Sequence, residues 1–262
     1  CVKKLIFIMN NKQVKFFLTK KKELIRYKLV RGRKPIAIIF FHGFMSDLTG
    51  KKIKLLSKFC SKQNVPFLTF EYSGHGKSSG TITNYGIKDW IEQSKEIIES
   101  TIKTKNVILI GSSMGAWIAA SLIQKIRKNI KGFIGIASAP DFTKKIMWER
   151  FSEKTKSMIN KGIIYNLPSS YGNFYPISKK LIFSGNNSLI LHKKIKCNFP
   201  IRLFHGLNDK SVGKEFSIQL LKTFLSKDKI IFLQKNGDHS LSSKEDFKKI
   251  TGELIKLIKY AI

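Results

Sequence analysis

Apolar runs of strand length, separated by amphipathic stretches of helix length, constrain this chain more than any other feature. The runs are VKFFL (14–18), LIRYKL (24–29), IAIIFF (36–41), PFLTFEY (66–72), NVILIG (106–111), GFIGIAS (132–138), PIRLFH (200–205) and KIIFLQ (229–234). The later runs are nearly continuous in apolar residues, as parallel strands buried on both faces must be; the first two alternate and suit an antiparallel start. Helical patterns cover 50–62, 86–101, 114–128, 213–226 and 243–260. This alternation predicts an α/β fold with an open, mostly parallel central sheet, right-handed crossovers and helices on both faces. A ligand then belongs beyond the carboxyl ends of the strands. The 262 residues suit one such domain over 1–262. One interval breaks the rhythm: between Pro140 and Cys197 lie the helical KKIMWERFSEKTKSMIN and then LPSSYGNFYPIS, rich in Pro, Ser, Tyr and Gly. An insertion of this length, about 140–197, reads as a helical cap over a site. The chain has neither an internal repeat nor a low-complexity tract.

The pentapeptide GSSMG (111–115) joins the strand NVILIG to the helix AWIAASLIQKI. A G-x-S-x-G string means little alone, but between strand and helix it has the setting of a nucleophile elbow. Ser113 is the central residue, and Gly111, Gly115 and Ala116 leave room for a tight turn that lifts its hydroxyl clear of the sheet. Ser112, one position off the apex, reads as an ordinary small residue.

A serine hydroxyl needs a base, and the base an orienting carboxylate. His239 in NGDHSLSS follows the strand KIIFLQ and precedes the last helix, on a loop at the carboxyl edge of the sheet. Asp209 in RLFHGLNDKSV follows PIRLFH and fits the chain order serine, acid, histidine. Asp141 also ends a strand and is its rival; Asp238, adjacent to the histidine, reads as a turn former. An oxyanion requires two amides, expected from Met114 after the nucleophile and from Phe44 in FFHGFMSDLTG. His42 should pack and hydrogen-bond under that loop, with no partner at metal-ligand spacing. GHGKSSG (74–80) lacks the phosphate-loop pattern, so His75 is read as shaping a turn. His205 and His192 have strand-end and insertion explanations. Trp90 and Trp117 are assigned to packing. Met147, Trp148, Phe151, Tyr171, Phe174 and Tyr175 of the insertion are candidates for an apolar acyl site, Met147, Trp148 and Tyr171 foremost. No metal or cofactor is implied.

The chain carries 49 Lys and Arg against 17 Asp and Glu, a formal charge of +32. Only six of the basic residues are Arg, and the Lys are spread over nearly every polar face. Bidentate phosphate or base recognition favours Arg, so this reads as a compositional bias and no specific nucleic-acid partner is expected. The three cysteines, Cys1, Cys60 and Cys197, form neither a disulfide framework nor a metal cluster and suit a reducing compartment. The apolar run in CVKKLIFI is too short for a signal peptide or a membrane span, so no span is expected. Met9 opens MNNKQVKFFL like a natural start, which makes residues 1–8 an upstream extension, with a lipidated Cys1 as the alternative.

Longer strings are more specific than the three candidate residues. HGFMSDLTG, EYSGHGKSSG, GSSMGAW, PDF followed by MW, LPSSYG, YPIS, HGLNDKSV and GDHSLS together resemble the serine-dependent α/β-hydrolase superfamily. Within it they are most similar to the mitochondrial palmitoyl-protein thioesterase and acyl-glucuronide esterase group and its alphaproteobacterial relatives. The resemblance spans nearly the whole chain and implies the α/β-hydrolase fold. It implies cofactor-free cleavage of S-acyl cysteine thioesters and acyl esters, with Ser113, Asp209 and His239 at the positions of the group's triad. The substrate would be a small molecule or an S-acylated protein. Ala116 departs from the group's Gly, and the front of the chain lacks the Arg-rich character of a transit peptide, so a cytoplasmic bacterial protein is expected, or a mitochondrial one in a eukaryote. A small-molecule carboxylesterase, a carbon–carbon bond hydrolase and a non-catalytic basic binding module are the rival readings.

Overall fold

Nearly every strand of the computed structural model carries apolar side chains on both faces, and this is what builds the layers. The structure describes residues 14–169, 172 and 174–262; the readings placed on residues 1–13 and on Tyr171 lie outside them. Eight strands, β1 (Val14–Leu18), β2 (Leu24–Val30), β3 (Ile36–Phe41), β4 (Phe67–Phe70), β5 (Asn106–Ser112), β6 (Asn129–Ile136), β9 (Ile201–Gly206) and β10 (Lys229–Gln234), form one sheet. Its order is β1-β2-β4-β3-β5-β6-β9-β10. Pairing is parallel from β4 to β10, while β1 with β2 and β2 with β4 are antiparallel. The antiparallel start and the parallel body both follow the pattern of the sequence.

The period-two alternation of the strands divides the core. Ala37, Ile39 and Phe41 of β3 and Val107 and Leu109 of β5 face one layer, with Trp90, Trp117 and Leu220 from helices α2 (Ile87–Thr101), α3 (Met114–Leu122) and α6 (Lys214–Thr223). Ile36, Ile38 and Phe40, with Ile108 and Ile110, face the other, against Ile53 and Leu56 of α1 (Lys51–Lys62) and Leu254 and Leu257 of α7 (Lys244–Ala261). Each such fully buried large side chain contributes about 1.5–3 kcal/mol of transfer free energy.

Two expectations need revision. The helix read over 114–128 stops at Leu122. The chain must turn there, because β6 begins at Asn129, where it pairs with Asn106 and where the Lys128 ammonium donates to the Ile102 carbonyl (2.7 Å). In the 140–197 segment the single helix expected from Lys144 to Asn160 is broken. A π-helical turn (Thr143–Met147) and a 3-10 turn (Trp148–Arg150) come first, then an extended Phe151. Ser152, accepting from the Thr155 N–H (3.2 Å), starts α4 (Glu153–Asn160) afresh. The Pro- and Ser-rich stretch, in which no strand was expected, holds an antiparallel hairpin of β7 (Tyr165–Pro168) and β8 (Phe174–Ile177), and α5 (Lys179–Asn186) follows, capped by Ser178. Pro168 and Pro176 are tolerated because a two-stranded ribbon has an outer edge where no N–H need be given.

Candidate active site

The nucleophile candidate sits where β5 runs into α3. Ser113 has φ +54° and ψ −120°, a conformation that non-glycine residues seldom adopt. It is held there by its own backbone: its N–H donates to Ile136 O (2.9 Å) and its carbonyl accepts from Ala116 N (3.0 Å) and Ala139 N (3.2 Å). Close approach requires the glycines beside it. A Cβ on Gly115 would lie 2.1 Å from the Phe41 carbonyl oxygen, and one on Gly111 would lie 2.3 Å from Ala116 Cα. Ser112 ends β5 opposite Ile136 and is buried, as an ordinary strand residue would be.

Two loops from neighbouring strands bring the base and the acid. His239 follows β10, and its Nε2 lies 3.2 Å from Ser113 Oγ. Its Nδ1 lies 2.7 Å from Asp209 Oδ2, on the loop after β9. Asp209 is held on its other oxygen, where Oδ1 accepts the amides of Ser211 and Val212, each at 2.9 Å. Burial by itself would raise this carboxyl's pKa; hydrogen bonds from His205 and His239, with the charge of His239, outweigh it and hold Asp209 well below the usual carboxylate range. Serine, imidazole and carboxylate therefore form one continuous hydrogen-bonded line.

Asp141 does not join that line. It has φ +55°, and its carboxylate accepts from the amides of Ile190 (2.9 Å) and Leu191 (3.1 Å), pinning the far end of the 140–197 segment to the sheet. Burial raises its pKa. Asp238 caps its own loop through Ser240 Oγ (2.8 Å) and Leu241 N (2.9 Å). Lys52, at the start of α1, donates to the carbonyl of Ser240 and so holds the same loop; burial lowers its pKa to about 8 against the pull of Asp238 and Asp246.

On the opposite flank is the loop after β3. Phe44 and Met114, the residues proposed to give oxyanion amides, border the same cavity as Ser113. The Phe44 ring packs edge-on against Tyr175 (5.4 Å) and His75 (6.0 Å) and lies near Trp90 and Phe142 (both 6.1 Å). His42 lies beneath, its ring tilted by 54° against Tyr72 at 4.5 Å, with Nδ1 2.8 Å from the Gly43 carbonyl. Burial lowers the pKa of His42 to about 4 and that of His75 to about 3. Glu71, fully buried, braces this flank: it pairs with Arg26 (3.1 Å) and accepts from the amides of Leu48 (2.9 Å) and Lys77 (2.7 Å).

Ser113 and His239 open into a cavity of about 670 Å³. Its apolar lining includes Phe142, Ile146 and Met147 and Leu167, Phe174 and Tyr175 of the hairpin. Trp148 is absent from the lining among the described residues; it packs half-buried against the core, as does Phe151, whose ring meets Tyr165 at 5.3 Å. Met147 ends the π-helical turn on the cavity side, while Trp148 opens the following 3-10 turn and packs against the core. Trp117, read as packing, does pack, and its indole donates to the Ser188 carbonyl (2.9 Å). Among the described residues no group of three or more His, Cys, Asp or Glu is placed to hold a metal. No helix among them is long and apolar enough to cross a membrane.

Sequence reasoning missed His205 and Ser217. It read His205 as an ordinary strand-end residue, yet the ring lies 3.3 Å from Asp209 Oδ2 and 2.7 Å from Ser217 Oγ. The signal available was the spacing in HGLND, a histidine four residues before the acid.

The profile of one family, serine aminopeptidase S33, matches residues 33–180. A mitochondrial palmitoyl-protein thioesterase of Rattus norvegicus, ABHD10, is 31% identical over 224 residues, covering 85% of this chain and 74% of the relative. The solved structure of mouse alpha/beta hydrolase domain-containing protein 10 superposes with a TM-score of 0.84 at 29% identity, covering 94% of this chain and 98% of that one. A crystal structure from Agrobacterium vitis S4, described as a hydrolase, has the same fold, with a TM-score of 0.87 at 24% identity over 94% and 99% of the two chains.

Proposed function

Because this chain belongs to the serine aminopeptidase S33 family of α/β hydrolases, with the ABHD10 proteins among its relatives, we propose that it cleaves acyl thioesters and acyl esters through an acyl-Ser113 intermediate. The observation that carries this reading is the line Ser113 Oγ, His239, Asp209, at 3.2 Å and 2.7 Å, opening on a cavity with an apolar wall.

His239 Nε2 takes the proton of Ser113 as its oxygen attacks the acyl carbonyl. The amides of Phe44 and Met114 receive the oxyanion. His239 then returns the proton to the departing thiol or alcohol, and water repeats the sequence on the acyl-enzyme. Asp209 keeps the imidazole proton on Nδ1 and steadies the imidazolium. Phe142, Met147, Leu167 and Tyr175 supply an apolar surface for an acyl chain, and the 140–197 segment acts as a cap. The rat relative's name, palmitoyl-protein thioesterase, supports S-acylated cysteine as the substrate class. The Lys-rich composition and scattered cysteines support a reducing bacterial cytoplasm, or a mitochondrion in a eukaryote, where the rat relative's name places it.

The test is to trap the intermediate. With palmitoyl thioester and palmitoyl nitrophenyl ester in short incubations, the peptide carrying Ser113 should gain the mass of the acyl group, faster from the thioester. Acylation of another residue, or of none while product forms, would refute the covalent route.

A further inference from the structure

Asp209 carries two histidines, of which the mechanism uses one. His205, on β9, is fully buried, with Nε2 2.9 Å from the Val212 carbonyl and 3.3 Å from Asp209 Oδ2. Neither of those oxygens can donate, so the ring proton sits on Nε2 and is shared between them. Nδ1 is then an acceptor, and Ser217 Oγ lies 2.7 Å from it. Ser217, also fully buried, accepts the Ser138 amide (3.2 Å), which leaves its hydroxyl proton for His205. The next residue, Ala139, donates its amide to the carbonyl of Ser113 (3.2 Å). Val212 closes the inner turn, since its amide gives to Asp209 Oδ1 while its carbonyl receives from His205.

We infer that His205 is a positioning residue of the Ser113–His239–Asp209 machinery, and that with Ser217 it completes a hydrogen-bonded ring running from the backbone of the nucleophile back to its own hydroxyl. The ring passes from the Ser113 carbonyl through the Ala139–Ser138 backbone to Ser217, His205, Asp209, His239 and Ser113 Oγ. The inference rests on the proposed roles of those three residues. A carboxylate can rotate about Cβ–Cγ. Two backbone amides anchor one oxygen of Asp209, and His205 adds a second donor on the other, so that Oδ2 stays aimed at His239 without solvent. Because both ends start at Ser113, a shift of the elbow carries acid and base with it.

The experiment compares His205→Phe, which keeps the ring volume and removes the donor, with His205→Gln, whose amide can restore a donor near Nε2, and with Ser217→Ala. Turnover of nitrophenyl acyl esters and the rate of fluorophosphonate labelling are measured on variants shown to be folded by near-ultraviolet circular dichroism. At metal sites, loss of the group that orients a ligand from behind costs about 10- to 100-fold, and the same scale is expected for a group that orients a catalytic carboxylate. His205→Phe should therefore lose about that factor in kcat and labelling rate with KM changed less than about twofold. His205→Gln should recover most of it, and Ser217→Ala should fall severalfold in kcat alone. A folded His205→Phe with native kcat, or a His205→Gln no better than His205→Phe, overturns the inference. If His205→Phe does not fold, a native kcat in Ser217→Ala does so. Ser113→Ala separates the two readings. Retained turnover there removes the proposed nucleophile, whereas an inactive Ser113→Ala beside fully active His205 and Ser217 variants removes only the ring.

Discussion

Four histidines flank Ser113 in two pairs, and the pairs are kept in opposite ways. On the acid side, His205 and His239 are each hydrogen-bonded through both ring nitrogens, to Ser217, Val212, Asp209 and Ser113. On the oxyanion-loop side, His42 and His75 are held by rings, His42 against Tyr72 at 4.5 Å and His75 against Trp90 at 4.9 Å, each with one backbone carbonyl near Nδ1. The first arrangement fixes both ring nitrogens by hydrogen bonds, as the proposed proton transfer requires; the second fills volume with an uncharged aromatic. A histidine's surroundings, and not its presence near a site, decide which it does.

The largest expected effect tests the acid side at its end point: Ser113→Ala should lower turnover about 10⁵-fold or more without loss of fold, by the scale seen when a nucleophile is removed from such a unit. Asp209→Asn should lower kcat about 10³- to 10⁴-fold with KM nearly unchanged, because the amide favours the wrong imidazole tautomer. Steady-state kinetics on one acyl ester reads both. Native-like rates in either variant would dissolve the contrast between the two histidine pairs.

The packing side should respond in stability. The pKa of His75 is lowered by burial and by His42 from 6.5 to about 3. The unfolded chain therefore binds a proton that the folded chain refuses, and the His75 contribution is complete above pH 6.5 and is lost as pH falls toward 3. By pH 5 that amounts to about 2 kcal/mol. His75→Phe should flatten the fall in stability between pH 7 and pH 5 by about that amount, read from urea midpoints; an unchanged slope would show that the ring is protonated in place. The smallest effect lies outside both flanks. Met147→Ala, on the cavity wall, should raise KM for long-chain acyl thioesters roughly tenfold and leave short-chain substrates within about twofold. Equal effects on both lengths would take Met147 out of the acyl path.

The elements most legible in the sequence were those whose burial is two-sided. Runs such as IAIIFF, apolar at every position, and NVILIG, apolar after its first residue, read as inner strands, and both occupy the middle of the sheet. The residues around the elbow were legible for a related reason: a strand, a glycine-bounded serine and a helix leave one geometry for the turn. Chain order then pointed to Asp209 and His239, and the fold brings both to Ser113. The hairpin of β7 and β8 was not legible, because four-residue strands bearing Pro168 and Pro176 lack any alternation long enough to read. Nor was Asp141, whose carboxylate ends on backbone amides 49 and 50 residues away.

By itself, then, the sequence determined the layered architecture and the residue types available at the sheet's carboxyl edge, since both depend on local patterning: the period of the apolar residues and the short loops that follow strands. The partners across the sheet belonged to the tertiary structure. Met147 rather than Trp148 at the cavity, Asp141 as an anchor, and Ser217 between Ser138 and His205 each depend on which segments meet in space. Hydrogen bonds and cavity walls are made between residues far apart in the chain, and no local pattern records which of several chemically competent groups will arrive within 3 Å.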